Sequence, residues 1–454
     1  MNILHYTIGL PPKRSGGSVR YAFDLMQEQA KSHNVIALIC GDTLFRDKQT
    51  RISEKGNAGN VQVFSLSNPI TPTLIYGVSN PEQQYREVNI DESSIKSFIT
   101  EKHIDVMHLH TLQGIHKRVV EFIKNLGVKV VYTPHDFHGV CPHYDLIKFS
   151  GTLCKAAKGS DCAICNLKEP SDKFLRFANS HFYQFLKARG VKMKRFMKFI
   201  RSNSTDKPLY IDATEYEVKT EIFRKYDQLI EYYKDFFNII DKYHFNSIQT
   251  KEIFTRFIPN AHGETVNVFT SGMKDRRRKI KPDSVIRLGF IGNTGYCKGF
   301  PMLKKVMIEL MNEGICNIRI LVYGSGARGT DKECGMIEYC PHYRYEELSD
   351  ILYQLDGTLV PSILYETFSL VTLESLAHGR PAFVSNNVGA KDIVAGYNPG
   401  YVFSSETELK KILRKISTDR LYLSHYADRI MEMPWNFTIE KHAEDIIKFY
   451  KELH

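Results

Sequence analysis

Tyr365-Glu366-Thr367-Phe368-Ser369-Leu370-Val371-Thr372-Leu373-Glu374 places two carboxylates eight positions apart around a short apolar bend. The stretch before it, Gly357 to Ser362, reads as a buried strand that Pro361 brings to an end. Beyond Ser369 the apolar residues Leu370, Val371, Leu373, Leu376 and Ala377 recur at helical spacing, and Gly379 with Pro381 supplies a stop signal. A strand, a loop carrying Glu366 and a helix carrying Glu374 in its early turns form one step of a parallel α/β sheet. A helix start leaves backbone N–H groups without intrahelical partners, so it suits a phosphate or the hydroxyls of a sugar. Two solvated surface glutamates would look the same in isolation; the rest of the chain has to decide.

Upstream, the same alternation starts near residue 285, with a strand at Ile286 to Ile291, a helix at Met302 to Met311, a strand at Ile318 to Tyr323 and a helix at Glu346 to Leu355. An earlier copy of the pattern occupies the first 140 residues, with strands at Asn2 to Ile8, Asn34 to Cys40, Ile104 to Leu109 and Val128 to Thr133. Helices are expected between them at Val19 to Ala30 and Val119 to Leu126. Residues 140–250 break the rhythm with cysteines, a basic stretch and aromatic helices, and read as an insertion. Asn267 to Asp283, with Ser271-Gly272, the charged run Asp275 to Lys279 and Pro282, reads as a linker. The expected domains are therefore 1–270 with its insertion, 284–432, and a closing helical segment 433–454 that packs back on the first domain.

Composition sets outer limits. A chain of 454 residues exceeds one core at roughly 150 residues per domain. With an apolar share of 43% and a charged share of 25%, disorder is not the expectation. No run approaches the length of uncharged apolar sequence needed to span a bilayer, and Met1 to Pro12 lacks the features of a secretory signal, so a cytoplasmic location is expected. Nine cysteines at irregular spacing then argue for reduced thiols or a metal site over a disulfide framework. The formal net charge of +10 suits an acidic ligand, nucleic acid or an anionic membrane surface without choosing among them.

In open α/β sheets ligands lie beyond the C-terminal strand ends, so the loops after strands carry the search. Gly16-Gly17 directly precedes a helix, where glycine lets backbone N–H groups approach an anion. His135 and Asp136 follow the strand ending at Thr133; the histidine can hydrogen-bond a reacting sugar or be held structurally by its neighbour. The third loop, Gly292-Asn293-Thr294-Gly295-Tyr296-Cys297-Lys298-Gly299, brings a cation to a glycine-rich turn, where it can neutralise a leaving diphosphate. No Asp-x-Asp triplet for a divalent ion occurs near either strand-end loop.

Together these residues resemble the retaining glycosyltransferases of family 4, over nearly the whole chain except the insertion. The resemblance implies the GT-B fold, two Rossmann-like doubly wound domains facing across a cleft. It implies His135, Lys298 and Glu366 as catalytic residues, with Glu366 beside the transferred sugar and Lys298 on the diphosphate. It also implies donor binding by Gly16, Gly17, Asn293, Lys298 and Glu374, which would hold the ribose. Backbone N–H groups of Phe368, Ser369 and Leu370 would meet sugar hydroxyls, and those near Val371 and Thr372 the diphosphate. The activity implied is metal-independent, anomer-retaining hexosyl transfer from a nucleoside-diphosphate sugar to a glycan or lipid-linked glycan, in polysaccharide or glycoconjugate synthesis. One departure is Asn293, where the family often has an arginine. That loss motivates an alternative, a GT-B-like sugar-nucleotide-binding or scaffold protein with weak or no turnover. A nucleotide-sugar epimerase of similar architecture is a third class, though the two-glutamate motif is not expected there. The donor nucleotide, the sugar, the acceptor and the linkage are not legible, although His342-Tyr343-Arg344 is the stretch expected near the base.

Within the insertion, Cys141, Cys154, Cys162 and Cys165 fall inside 25 residues, and Cys162-Ala163-Ile164-Cys165 has a spacing common among zinc ligands. A structural zinc, four free thiols and a redox pair are the open readings. Residues 187–201 hold seven Lys or Arg and no acid, with Met193, Phe196, Met197 and Ile200 on one helical face. That pattern fits peripheral contact with the inner face of an anionic membrane, at about 1 kcal/mol per basic residue, or a surface helix packed on the core. No nucleic-acid reader motif accompanies the charge, so nucleic acid is not an expected partner.

Overall fold

A computed structural model of the chain describes residues 1–43, 49–180, 183, 219–280, 283–324 and 326–453. The chain divides into two compact units. The first comprises Met1–Asn246, Thr250–Thr270 and Ile439–His454, and the second Ser247–Gln249 and Ser271–Thr438.

Among the described residues the first unit has eight strands, β1 (Asn2–Thr7), β2 (Asn34–Cys40), β3 (Ile52–Ala58), β4 (Val61–Leu66), β5 (Val106–Leu109), β6 (Lys129–Tyr132), β7 (Lys242–Phe245) and β8 (Gly263–Thr265). They form one sheet in the order β3-β4-β2-β1-β5-β6-β7-β8. Every neighbouring pair is parallel except the β3–β4 hairpin. A parallel sheet is covered on both faces, which is why β2 reads as an almost continuous apolar run and why Ile3, Leu4, Ile36, Leu38, Val106 and Leu109 have no exposed surface. Helix Gly17–Gln29 adds Tyr21, Ala22, Leu25 and Met26 to that core. The strand order turns back between β1 and β5, so the loops after these strands border the place where such sheets bind ligands.

The centre of this core is polar. His5 on β1, His108 on β5 and His244 on β7 lie beside His110, His135 and, from helix Ile439–Lys451, His442. Their ring centroids form a connected chain of neighbours 4.2–6.2 Å apart. His5 Nδ1 and His110 Nε2 share a hydrogen bond of 2.9 Å, and His5 Nε2 bonds Gln29 Oε1 at 2.8 Å. His108 bonds the Tyr450 hydroxyl at 2.5 Å and Thr133 Oγ1 at 2.6 Å, and Thr133 passes the chain on to His244 at 2.7 Å. Tyr21 meets His442 at 2.8 Å. Burial holds every one of these imidazoles below its ordinary value, His5 and His244 at about 4 and His135 at about 3. His108, His110 and His442 are also well below it, by burial and then by their histidine neighbours. The group is therefore neutral near pH 7.

The second unit repeats the architecture. Among its described residues β9 (Ile286–Ile291), β10 (Ile318–Tyr323), β11 (Gly329–Thr330), β12 (Ile337–Tyr339), β13 (Gly357–Val360), β14 (Ala382–Ser385) and β15 (Val402–Phe403) form a sheet in the order β11-β12-β10-β9-β13-β14-β15. Only β11–β12 is antiparallel. Here the order turns back between β9 and β13, so the crevice rule selects the loop after β9 and the loop after β13. Trp435, near the end of this unit, donates its indole N–H to the Met273 carbonyl at 3.1 Å.

Several features differ from the sequence expectation. The break in alternation ends before residue 242, because β7 pairs parallel with β6 through Val131 to Lys242 and Tyr132 to Tyr243. The strand Lys242-Tyr243-His244-Phe245 is aromatic and carries a buried histidine, so it lacks the aliphatic run that marks a core strand. The expected helix Glu346 to Leu355 is a helix over Leu348–Tyr353, preceded by a 3-10 turn over Tyr345–Glu347.

In the described part of the insertion, His143 sits between Asp145 and Glu169, each 3.0 Å away. Burial alone would lower its imidazole, but hydrogen bonds and charge from the two carboxylates raise it to about 10. This trio ties the Cys141–Ile147 loop to residues 166–170. The basic stretch 187–201 lies outside the described residues. Among the described residues no helix is long and apolar enough to cross a membrane.

Candidate functional site

The two loops selected by the strand order of the second unit hold the expected donor residues. After β9 the chain turns through Gly292 to Lys298, and the Asn293 Oδ1 accepts the Gly295 N–H at 2.8 Å. A 3-10 turn over Tyr296–Lys298 closes on Gly299, whose φ is 73°. A Cβ on Gly299 would lie 1.8 Å from the Pro361 carbonyl oxygen at the end of β13. The Cys297 carbonyl accepts the Ile363 and Leu364 N–H groups at 2.9 and 3.1 Å, pinning the two loops together. Glycine is the one residue that fits both the backbone angle and this approach. Gly299→Ala is expected to lower stability by about 2 kcal/mol or more, read as a lower urea midpoint, and to displace Lys298.

That packing sets the ion pair at the centre of the site. Lys298 Nζ lies 2.7 Å from Glu366 Oε1, and the Ser362 hydroxyl donates to the same oxygen. Burial alone would raise the Glu366 carboxyl, but the Lys298 ammonium and hydrogen bonds from Lys298, Ser362 and Ser369 outweigh it and hold it below its ordinary value. Glu366 is thus an anchored carboxylate. Its backbone is fixed as well, since its N–H donates to Asn387 O and its carbonyl accepts from Gly389, both at 2.9 Å. Lys298 is the freer partner, with 38% of its side-chain surface exposed against 11% for Glu366.

Between the glutamates Phe368 is buried and accepts the Ala390 N–H. Ser369 has φ 101°, unusual for a residue with a side chain, and stands at the start of helix Leu370–Ala377. No side chain caps that helix, so the Leu370, Val371 and Thr372 turn presents the open N–H groups that anions seek. Backbone strain of this kind costs about 1–3 kcal/mol and is typically kept where a ligand uses it. Glu374 is buried on the same helix; its Oε1 accepts the Tyr345 hydroxyl at 2.8 Å, and its carbonyl bonds His378 Nδ1 at 2.7 Å. Burial, and after it the charge of this carboxylate, raises the phenol of Tyr343.

Asn293, Lys298, Glu366, Phe368, Ser369, Leu370, Val371, Thr372 and Glu374 all belong to this one region of the second unit. Gly16, Gly17 and His135 belong to the first. There Gly16 starts an uncapped helix with no atom within 4 Å of where a Cβ would be, and Tyr21 of that helix packs on His135 at 5.0 Å between ring centroids. His135 is neutral, so it can exchange hydrogen bonds but does not offer an imidazolium. Ser247 and Gln249, grouped with the second unit, were not singled out in the sequence. Ser247 Oγ donates to Thr367 O at 2.6 Å, and Gln249 Nε2 donates to Glu366 O at 3.2 Å and to Asn387 O at 2.6 Å, so both brace the bend through its carbonyls. Backbone-directed contacts of this kind leave no motif.

Cys141, Cys154, Cys162 and Cys165 form no disulfide, and burial pushes the thiols of Cys162 and Cys165 up to about 12. Among the described residues His5, His108 and His110 are the one group of three or more potential metal ligands whose ligating atoms lie within 4.8 Å of one another; no three of the cysteines do.

Residues 286–419 match the family model described as Glycosyl transferases group 1. No curated protein matches the chain. Among solved structures, sucrose-phosphate synthase from Thermosynechococcus elongatus superposes with a TM-score of 0.56 at 13% identity, covering 99% of this chain and 98% of that one. Alr3699/HepE from Anabaena, in complex with UDP, gives 0.53 at 11% identity with both chains fully covered. The UDP-forming alpha,alpha-trehalose-phosphate synthase from Burkholderia xenovorans gives 0.54 at 9%, covering 99% of this chain and all of that one. The chain therefore has the GT-B fold of two Rossmann-like α/β units, and its second unit carries the glycosyltransferase group 1 pattern.

Proposed function

We propose that the chain is a retaining hexosyltransferase that moves a sugar from a nucleoside-diphosphate donor to a glycan or lipid-linked glycan acceptor. The observation that carries this reading is the Lys298–Glu366 pair beside the open start of helix Leu370–Ala377, with Glu374 four residues inside it. A departing nucleoside diphosphate gains negative charge, and an ammonium with aligned N–H groups stabilises it without needing a metal. Lys298 is exposed enough to leave Glu366 for the diphosphate, which frees the Glu366 carboxylate for hydroxyls of the hexose. Glu374 accepts from the ribose. Retention rests on the family resemblance, and UDP in the Anabaena structure supports a nucleotide-sugar donor. Use in polysaccharide or glycoconjugate synthesis, and work at the inner face of a membrane, are parts of the same reading that the basic run at 187–201 motivates.

Release of nucleoside diphosphate from a panel of nucleotide sugars tests it. Lys298→Ala is expected to lower that release about a hundredfold or more, the usual cost of one charge-stabilising contact in a transition state. Equal rates for both proteins would remove the lysine from the chemistry. The second reading, a nucleotide-sugar binder with little turnover, is favoured by Asn293. Its side chain is spent on the Gly295 N–H and brings no cation to the diphosphate. Tight donor binding with no release in the native chain would select it.

A further inference from the structure

A cavity of about 670 Å³ opens at the C-terminal strand ends of the first unit, walled by the loops after β1 and β2, by β3 and β4, and by the end of helix Asp172–Asn179. It is the size of a site for a small ligand, and it lies where an open α/β sheet binds one. Its lining is one-sided in charge, with Lys13, Arg14, Lys55 and Arg176 against a single carboxylate, Asp42.

Arg14 is the informative member. Its guanidinium donates to the neutral Asn179 Oδ1 at 2.7 Å, and among the described residues no carboxylate pairs with it. Burial works against its charge, and the main opposing influence is the Cys40 thiol, which its own burial raises to about 12 and so keeps uncharged. The backbone is shaped to keep the arginine there: a Cβ on Gly9 would lie 2.5 Å from Arg14 Cγ. A half-buried cation with no anionic partner is costly unless something brings the charge in, and a guanidinium matches the oxygens of phosphate and carboxylate geometrically.

We propose that this cavity binds an anionic sugar, one bearing a phosphate or a carboxylate, with Arg14 on the anion and Lys55 and Arg176 completing the positive rim. That the anion is carried by a sugar, and that this sugar is the acceptor, rest on the transferase reading above; the binding of an anion by Arg14 does not.

Calorimetric titration of the full chain with glucose 6-phosphate, glucuronate and glucose, in low salt and without any nucleotide sugar, is the test. At least one charged sugar is expected to bind about tenfold or more tightly than glucose, and the tighter of the two names the anion. Arg14→Gln is expected to cost that sugar about tenfold while leaving glucose unchanged, and exposed Lys55→Ala about threefold. Equal affinity for glucose and both charged sugars overturns the proposal, as does full affinity in Arg14→Gln. Should that variant fail to fold, Lys55→Ala decides, and unchanged affinity there overturns it. A nucleoside-diphosphate titration run alongside separates the two readings: failure there with charged-sugar binding intact sinks the donor site alone.

Discussion

Glu374→Gln is expected to weaken binding of UDP or ADP about a hundredfold while leaving the urea unfolding midpoint nearly unchanged. Ribose hydroxyls donating to a carboxylate form charge-assisted hydrogen bonds worth about 1.5–3 kcal/mol, and about 3 kcal/mol corresponds to a factor near 100–200 in affinity. Glutamine has almost the same shape and keeps an oxygen for the Tyr345 hydroxyl. The bond from His378 goes to the main-chain carbonyl and does not depend on the side chain. The loss should therefore fall on the ligand. Calorimetric titration and urea denaturation of the same preparation separate the outcomes: an unchanged dissociation constant would remove Glu374 from donor binding, and a collapsed midpoint would make it a structural carboxylate.

The histidine group of the first unit predicts a steep loss of stability in mild acid. Each of its imidazoles titrates lower in the folded chain than its ordinary 6.5, so below that pH the unfolded chain binds protons that the folded chain refuses. Stability is then fully present above pH 6.5, falls as pH drops, and levels off for His5 and His244 once their folded values near 4 are passed. At pH 5.5 a histidine whose folded value lies near 4 contributes a loss on the order of 1 kcal/mol, and the other members of the group act in the same direction. His143 does not offset this. Its raised value gives a stabilisation that is complete below pH 6.5 and lost only as pH rises toward 10. Urea denaturation at pH 7.5, 6.5 and 5.5 should show the midpoint of the first unit falling sharply over the last interval; a flat profile would mean that the unfolded chain retains the same shielded group.

What the sequence made legible follows from how each element is built. β2, β9 and β10 occupy the expected bounds because aliphatic runs such as Asn34-Val35-Ile36-Ala37-Leu38-Ile39-Cys40 have no competing period. The hairpin of β3 and β4 went unread. Ile52–Ala58 contains Glu54, Lys55, Gly56 and Asn57, and its strand character comes from pairing with β4. In the donor region the residue types were readable, but the direct Lys298–Glu366 contact was not, because 68 positions separate them and strand order alone brings them together. Asn293 looked like a missing cation; the structure gives it a task of its own in holding the turn. The histidine group was the least visible, since its members come one or two at a time from separate elements and local patterns do not report a shared interior.

Helix Ile439–Lys451 carries a consequence for how the chain is made. It belongs to the first unit, and its Tyr450 bonds His108 across 342 positions of sequence. During synthesis the first unit therefore waits, with His108, Tyr21 and His244 lacking their final cover, while Ser271–Thr438 leaves the ribosome as an almost continuous stretch able to close its own sheet. The order of maturation is then the reverse of the order of translation, and the early-made half is the one exposed longest to proteases and chaperones.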